Sequence, residues 1–138
     1  LMEEPTVSQP FMILFSDHPA CEVLVEEAPD MTLEQCEEFI AEQTLNWELI
    51  YTSAQPGYRL TVSGSVHNSF TDNAFLLPIM PELAQSIKEV AIDAERALQI
   101  TSDYVLAFFD HYLSDADGEL LSDASPDYPE VLFERNRS

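Results

Sequence analysis

The sequence predicts an α/β fold in which a few parallel strands pack against helices in an incomplete sheet. Strand and helix patterns alternate along the 138 residues, as in sheets whose parallel strands are joined by helices. Only two segments are convincing strands, and two parallel strands alone make a poor core. The first of them is as apolar as a central strand, which needs a neighbour on each side. We therefore expect the chain to be the C-terminal portion of a larger sheet.

The first strand and the first long helix are marked by local signals. Residues 10–16 form a continuous apolar run, which predicts a strand buried on both faces, and Pro19 stops it. A helix is predicted from Thr32 to Leu45, because Thr32 can cap its N-terminus and Gln35 completes a capping box. The apolar face of this helix carries Leu33, Cys36 and Ile40, and its solvated face carries Glu34, Glu38 and Glu42.

The second strand is predicted at residues 58–62, where apolar and polar residues alternate after the turn signal Gln55-Pro56-Gly57. It ends at Gly64. One helix is expected to begin near Glu82, and another to run from about Asp93 to Leu113. The last helix has a broad apolar stripe that should pack against the sheet, formed by Val105, Phe108, Phe109 and Tyr112.

The remaining segment, residues 114–138, is polar and contains two prolines, which predicts a surface tail without regular structure. We therefore divide the chain into residues 1–113, which carry the strands and helices, and this tail. Asp115 to Glu119 bears a faint likeness to a calcium-binding loop, but the first and last ligand positions of such a loop would hold Leu113 and Ala124. A polar turn is the better interpretation.

The charge of the chain excludes some classes of partner. Asp and Glu total 26 against five Lys and Arg, a formal net charge of −21, which disfavours nucleic acid and anionic membranes. No apolar run is long enough for a transmembrane segment. Two interpretations of the acids remain: a solvated surface, as in proteins from salt-adapted sources, or a patch for cations or a basic partner. Their spread along the whole chain favours the solvated surface.

Cys21 and Cys36 are the two cysteines, and two cysteines do not specify an oxidising compartment. They could form a disulfide. The position of Cys36 on the apolar face of the predicted helix favours a buried thiol.

Candidate catalytic groups follow both predicted strands, and functional groups in open α/β sheets gather at the carboxyl ends of strands. Asp17 and His18 come after the first strand, and His67 comes after the second. Histidine is suited to general base catalysis, because its pKa is close to neutral pH and a loop just past a strand holds it rigidly. A single histidine is nevertheless more often an ordinary polar or packed residue.

Four segments, in the correct order, resemble the platelet-activating factor acetylhydrolase-like α/β hydrolases. GSVHNSFTD (residues 64–72) is similar to the segment with the catalytic histidine, and QPFMILFSD (9–17) resembles the penultimate core strand. DYVLAFFDHYL (103–113) resembles the C-terminal helix of bacterial members, and SPDYPEV (125–131) their tail. The resemblance implies the C-terminal part of an α/β-hydrolase fold, ester hydrolysis by a Ser-His-Asp triad, and His67 as the triad histidine and general base.

The sequence departs from this family in one respect that matters for catalysis. It contains no Gly-x-Ser-x-Gly nucleophile elbow. In the family the nucleophile, oxyanion hole and triad aspartate precede the strand that residues 9–17 resemble, so here they would lie upstream of Leu1. Asp17 is an alternative acid, since many α/β hydrolases carry the acid after this strand. We expect Phe70 to be a core aromatic or part of an acyl pocket, and Asp72 to cap a helix.

Two hypotheses follow. In the first, the chain is the C-terminal portion of a carboxylic ester hydrolase, which needs no cofactor or metal, acts on a small ester or lipid-like substrate and is completed by an upstream segment of the same protein. In the second, it is a non-catalytic or degenerate hydrolase-like module with an acidic surface. A metal enzyme using His18, His67 and His111 is disfavoured, because no short ligand spacing links any two of them.

Overall fold

The computed structural model describes residues 6–17, 21–28, 30–71, 73–76, 79–80 and 92–136. These residues belong to two compact units, one containing two helices and the other containing most of the sheet and a long helix. In chain order the elements are β1 (Phe11–Ser16), α1 (Cys21–Glu27), α2 (Leu33–Ser53), β2 (Gly57–Val62), a 3-10 helix (His67–Phe70), α3 (Asn73–Leu76), α4 (Ala94–Ser114), a second 3-10 helix (Glu119–Leu121) and β3 (Val131–Arg135).

Helix α2 begins where the sequence predicts and ends later. The Thr32 hydroxyl accepts a hydrogen bond from the Gln35 N–H at 3.2 Å, and the Gln35 side chain accepts one from the Thr32 N–H at 2.9 Å. The predicted capping box is therefore confirmed. The helix continues to Ser53, just before Gln55-Pro56, because a residue that precedes proline avoids the helical conformation.

Cys21 and Cys36 form a disulfide, with their Cα atoms 5.9 Å apart. The bond joins the start of α1 to the first turn of α2, and both residues are buried. The sequence-based preference for a free thiol at Cys36 is therefore wrong, although its burial is as predicted. Sequence spacing could not identify the pair, because pairing depends on how α1 folds back against α2.

Asn136 closes the C-terminal end of α2. Its side-chain amide donates hydrogen bonds to the carbonyl oxygens of Tyr51 at 2.6 Å and Ala54 at 2.7 Å. Its side-chain oxygen accepts from the Gly57 N–H at 2.8 Å. These bonds satisfy carbonyl groups that a helix end leaves unpaired. A Cβ on Gly57 would collide with the Tyr51 carbonyl oxygen, so this position requires glycine.

The second unit is built on a mixed sheet with the strand order β1-β2-β3. β3 runs antiparallel to β2, with Tyr58 opposite Arg135 and Val62 opposite Val131, and β1 runs parallel to β2. All six residues of β1 are half-buried, so the prediction of a strand buried on both faces is correct for the strand but wrong for the degree of burial. Within the described residues β1 has a strand neighbour on one side only, which leaves its apolar side chains partly exposed.

The core lies between the sheet and α4. Tyr58, Leu60 and Val62 alternate along β2 and are buried, as the predicted alternation requires. Helix α4 begins at its N-cap, Asp93, and faces the sheet along a stripe that differs slightly from the predicted one, because Phe109 is exposed. The buried members of the core are Tyr58, Leu60, Val62, Ile92, Ala97, Ile100, Tyr104, Leu121 and Val131.

The expectation of a polar loop over residues 114–138 is wrong for two segments. Residues 119–121 form a 3-10 helix whose Leu121 is buried, and residues 131–135 form β3. The backbone of this strand completes hydrogen bonds that β2 would otherwise leave open, and Val131 joins the core. The segment therefore contributes to the sheet and its core.

The helix expected near Glu82 lies outside the described residues. Of the helices that the described ranges contain, none combines the length and hydrophobicity that crossing a membrane requires.

Candidate functional site

The carboxyl ends of β1 and β2 meet at one edge of the sheet. Asp17 directly follows β1, and Gly64 lies two residues beyond the end of β2. The Asp17 carboxylate accepts a hydrogen bond from the Gly64 N–H. The two strand ends that the sequence marks as candidate sites are therefore joined by a direct side-chain contact.

A tight turn follows β2. The Val62 carbonyl oxygen accepts hydrogen bonds from the Ser65 N–H at 3.3 Å and from the Ser65 hydroxyl at 2.6 Å. Gly64 has a φ of 74°, a conformation that residues with a Cβ rarely adopt. Its carbonyl oxygen accepts from the Ile92 N–H at 3.0 Å, which ties the turn to the residues just before α4.

His67 begins the 3-10 helix that continues from this turn. The backbone around it is held by two bonds between neighbours: the Val66 N–H donates to the Ser69 hydroxyl at 3.0 Å, and the Ser69 N–H donates to the Val66 carbonyl at 2.8 Å. Ser65 and Ser69 are buried, and Phe70 packs against the core. The structure thus places the His67 backbone in a short, well-connected segment at the carboxyl edge, and gives Phe70 a core role.

Sequence reasoning missed the two serines that frame His67. Serine hydroxyls in turns often bond to backbone groups two to four residues away, so the serines at 65 and 69 were a usable signal. The hydrogen bond between Asp17 and Gly64 had no such signal, because 47 residues separate the two in sequence.

None of the other candidate residues is described at this edge of the sheet. His18 and Asp72 lie outside the described residues. His111 is near the end of α4, where its Nδ1 lies 3.0 Å from the Ala116 carbonyl oxygen and donates to it, and its ring faces Gly118. Within the described ranges, no three His, Cys, Asp or Glu side chains are grouped so that they could hold a metal ion.

A shallow surface depression of about 370 Å³ lies at the opposite edge of the sheet. Tyr58, at the amino end of β2, forms part of it, and the Arg135 guanidinium lies 5.5 Å from the centre of the Tyr58 ring. Four residue steps along β2 separate Tyr58 from Val62, about 13 Å at the usual rise of a strand. The depression is therefore separate from the edge that carries His67. Its lining residues are Tyr58, His111, Asp117, Gly118, Glu119, Leu121, Ser122 and Arg135.

The family described as platelet-activating factor acetylhydrolase, isoform II, matches residues 6–124, which include both strand ends of the candidate site. Comparison with curated proteins and with solved structures finds no match in either set.

Proposed function

Since the chain belongs to the platelet-activating factor acetylhydrolase, isoform II, family, we propose that it is the histidine-bearing part of a serine-type carboxylic ester hydrolase. The family places the chain among ester hydrolases. One observation carries the finer proposal: His67 follows the turn at the carboxyl end of β2, on the edge where Asp17 follows β1.

The proposed role of His67 is that of general base and then general acid. It takes the proton of a serine hydroxyl as that oxygen attacks the ester carbonyl, and it returns the proton to the alcohol that leaves. Water then attacks the acyl-serine in the same manner, releasing a carboxylic acid and the free serine. A general base must be held in a fixed position. The two hydrogen bonds between Val66 and Ser69 support this role, because they hold the backbone on either side of His67.

In this proposal, the serine and the triad acid come from a segment outside the 138 residues, because the sequence contains no Gly-x-Ser-x-Gly elbow. The substrate is a small ester or a lipid-like ester, and the acyl transfer involves neither a metal nor a cofactor. Asp17 is the alternative acid.

A second candidate function is a non-catalytic acidic module. The same missing elbow favours it, because a histidine without a serine nucleophile cannot perform this acyl transfer. The two functions differ in what happens to a serine-reactive probe, so one experiment separates them.

The test uses the protein together with whatever its reading frame encodes on either side of these residues. Hydrolysis of p-nitrophenyl acetate and labelling by a fluorophosphonate are measured for the natural protein, for His67→Ala and for the matched control His111→Gln. We expect His67→Ala to lower kcat by about 10⁴- to 10⁶-fold, as removal of a triad histidine does, and to abolish labelling. The control should retain both. Undiminished hydrolysis in His67→Ala would contradict the proposal, and no hydrolysis or labelling in any form would support the non-catalytic module.

A further inference from the structure

Gly64 is held from both sides by groups distant in sequence. Its N–H donates to the Asp17 carboxylate, and its carbonyl oxygen accepts from Ile92 at 3.0 Å. Three segments therefore converge on one residue: the end of β1, the turn after β2 and the approach to α4. His67 lies three residues further along the chain.

The hydrogen bond that Asp17 accepts from the Gly64 N–H is the stronger of these two contacts. A carboxylate that accepts from a backbone N–H makes a charge-assisted hydrogen bond, which is shorter and stronger than one between neutral groups. Asp17 is itself anchored by β1, since it directly follows Ser16. The contact thus holds the turn that leads into His67 in a fixed position relative to the end of β1.

We propose that Asp17 is a positioning residue: its carboxylate fixes the turn at Gly64 and thereby the backbone of His67. This inference rests on the proposed function, and it assigns Asp17 a duty different from that of a triad acid. A triad acid accepts a hydrogen bond from the N–H of the imidazole ring. The Asp17 carboxylate instead accepts a hydrogen bond from the backbone N–H of Gly64. Geometry matters at this site because a misplacement of about 1 Å can lower catalysis about 100-fold.

Two substitutions separate the roles of acceptor and acid. Asp17→Asn keeps an oxygen that can accept from Gly64 but removes the charge, and Asp17→Ala removes the acceptor. A positioning residue therefore tolerates Asn better than Ala. A triad acid does not tolerate Asn, because the amide favours the wrong tautomer and kcat falls about 10⁴-fold. Asp123→Ala is a matched control, since Asp123 is exposed and its side chain bonds only the adjacent Ala124 N–H among its described hydrogen bonds.

The first measurement needs no catalysis. The chain has three glycines, so the amide resonance of Gly64 is readily assigned in a nitrogen–proton NMR spectrum of the 138-residue protein. We expect Asp17→Ala to move the Gly64 amide proton upfield and to shift the resonances of Val66, His67 and Ser69, with the remaining spectrum unchanged. Asp17→Asn should give smaller shifts, and the control none. A Gly64 resonance unmoved by Asp17→Ala would overturn the inference.

The second measurement is kinetic and uses the same protein as the His67→Ala test. We expect Asp17→Ala to lower kcat about 10- to 100-fold with little change in KM, and Asp17→Asn to recover most of the loss. Equal inactivity of both variants, with the Gly64 resonance retained in Asp17→Asn, would identify Asp17 as the triad acid and overturn the positioning role. If His67→Ala has no effect on hydrolysis, the proposed function fails, while the NMR comparison still tests the link between Asp17 and Gly64.

Discussion

The hydroxyl groups of Tyr58 and Tyr112 lie 2.7 Å apart and share a hydrogen bond that joins the amino end of β2 to the last turns of α4. Burial and this hydrogen bond both raise the pKa of Tyr112. The two rings also contact each other, with centroids 6.5 Å apart. The bond therefore connects the two elements that enclose the core.

Tyr112→Phe removes this hydrogen bond and leaves the buried ring of Tyr58 in place. We expect the free energy of unfolding to fall by about 1 kcal/mol, the usual net value of one hydrogen bond. Urea unfolding followed by circular dichroism measures the change. An unchanged midpoint would contradict the prediction and indicate that this hydrogen bond makes no net contribution to stability.

Tyr104→Phe is the contrasting substitution on the same helix. The Tyr104 hydroxyl is buried, and within the described part of the chain it has no hydrogen-bond partner, while burial raises its pKa. An unpartnered buried hydroxyl costs about 1–3 kcal/mol, so removing it should leave the free energy of unfolding unchanged or raise it. A clear loss of stability in urea would contradict this prediction and indicate that the hydroxyl is bonded after all.

Glu134→Gln tests the pair that Glu134 forms with Arg59 across β2 and β3. Their side chains are joined by two hydrogen bonds of 2.7 and 2.9 Å, and the bond from Arg59 holds the pKa of Glu134 below its ordinary value. Because the folded-state pKa is lowered, the stabilisation is present above the ordinary pKa of glutamate. It is lost as the pH falls through the lowered value.

We therefore expect Glu134→Gln to cost about 0.5 kcal/mol at neutral pH, since the glutamate side chain is more than a third exposed and solvent screens the pair. The difference from the natural protein should vanish in acid and shrink in high salt. Glu37→Gln is the control for the net charge, since Glu37 is exposed on α2. Thermal unfolding across the acid range measures the stability of both variants. A stability difference between Glu134→Gln and the natural protein that persists in acid would contradict the stabilising role of the pair.

Tyr128→Phe tests a contact that acts in alkali. The hydrogen bond that Tyr128 donates to Asp103, together with burial, raises the pKa of Tyr128 to about 12. A raised folded-state pKa gives stability that is complete below the ordinary tyrosine pKa of about 10 and is lost as the pH rises through the folded value. The natural protein should exceed Tyr128→Phe in stability at pH 9, and the two should converge near pH 12. Parallel curves over this range would contradict the prediction.

Replacing both Cys21 and Cys36 by serine tests the disulfide. The two are 15 residues apart, and closing a loop of this length restricts the unfolded chain by about 3 kcal/mol. We expect the double variant to lose about this much free energy of unfolding, and reduction of the natural protein to have the same effect. If dithiothreitol shifts the urea midpoint of the natural protein and of the variant equally, the bond does not contribute.

Local sequence patterns were sufficient where a structure depends on residues close together in the chain. Thr32 and Gln35 are three residues apart, so the capping box could be identified from the sequence. The alternation of Tyr58, Leu60 and Val62 likewise predicts which face of β2 is buried. Asp17 and His67 come after the two predicted strands, so predicting the strands also predicted that these residues lie near the strand ends.

The features that sequence patterns missed depend on distant partners. β3 was not predicted because Pro129 precedes it, it contains two charged residues, and it is marked as a strand only by pairing with β2. The disulfide and the bond between Asp17 and Gly64 also arise from how elements fold against each other. The catalytic role of His67 stays a prediction, because it depends on a nucleophile that these residues do not include.

The pairing of Arg59 with Glu134 spans 75 residues, and this sets an order of events on the ribosome. At a translation rate of about 5–20 residues per second, β2 emerges about 4 to 15 s before β3, the strand that pairs with it. During that interval one edge of β2 presents open N–H and C=O groups to neighbouring nascent chains. Acidic residues already outnumber basic ones in residues 1–62, so such nascent chains repel each other. We expect that the acidic composition thus protects the protein while it is still being translated.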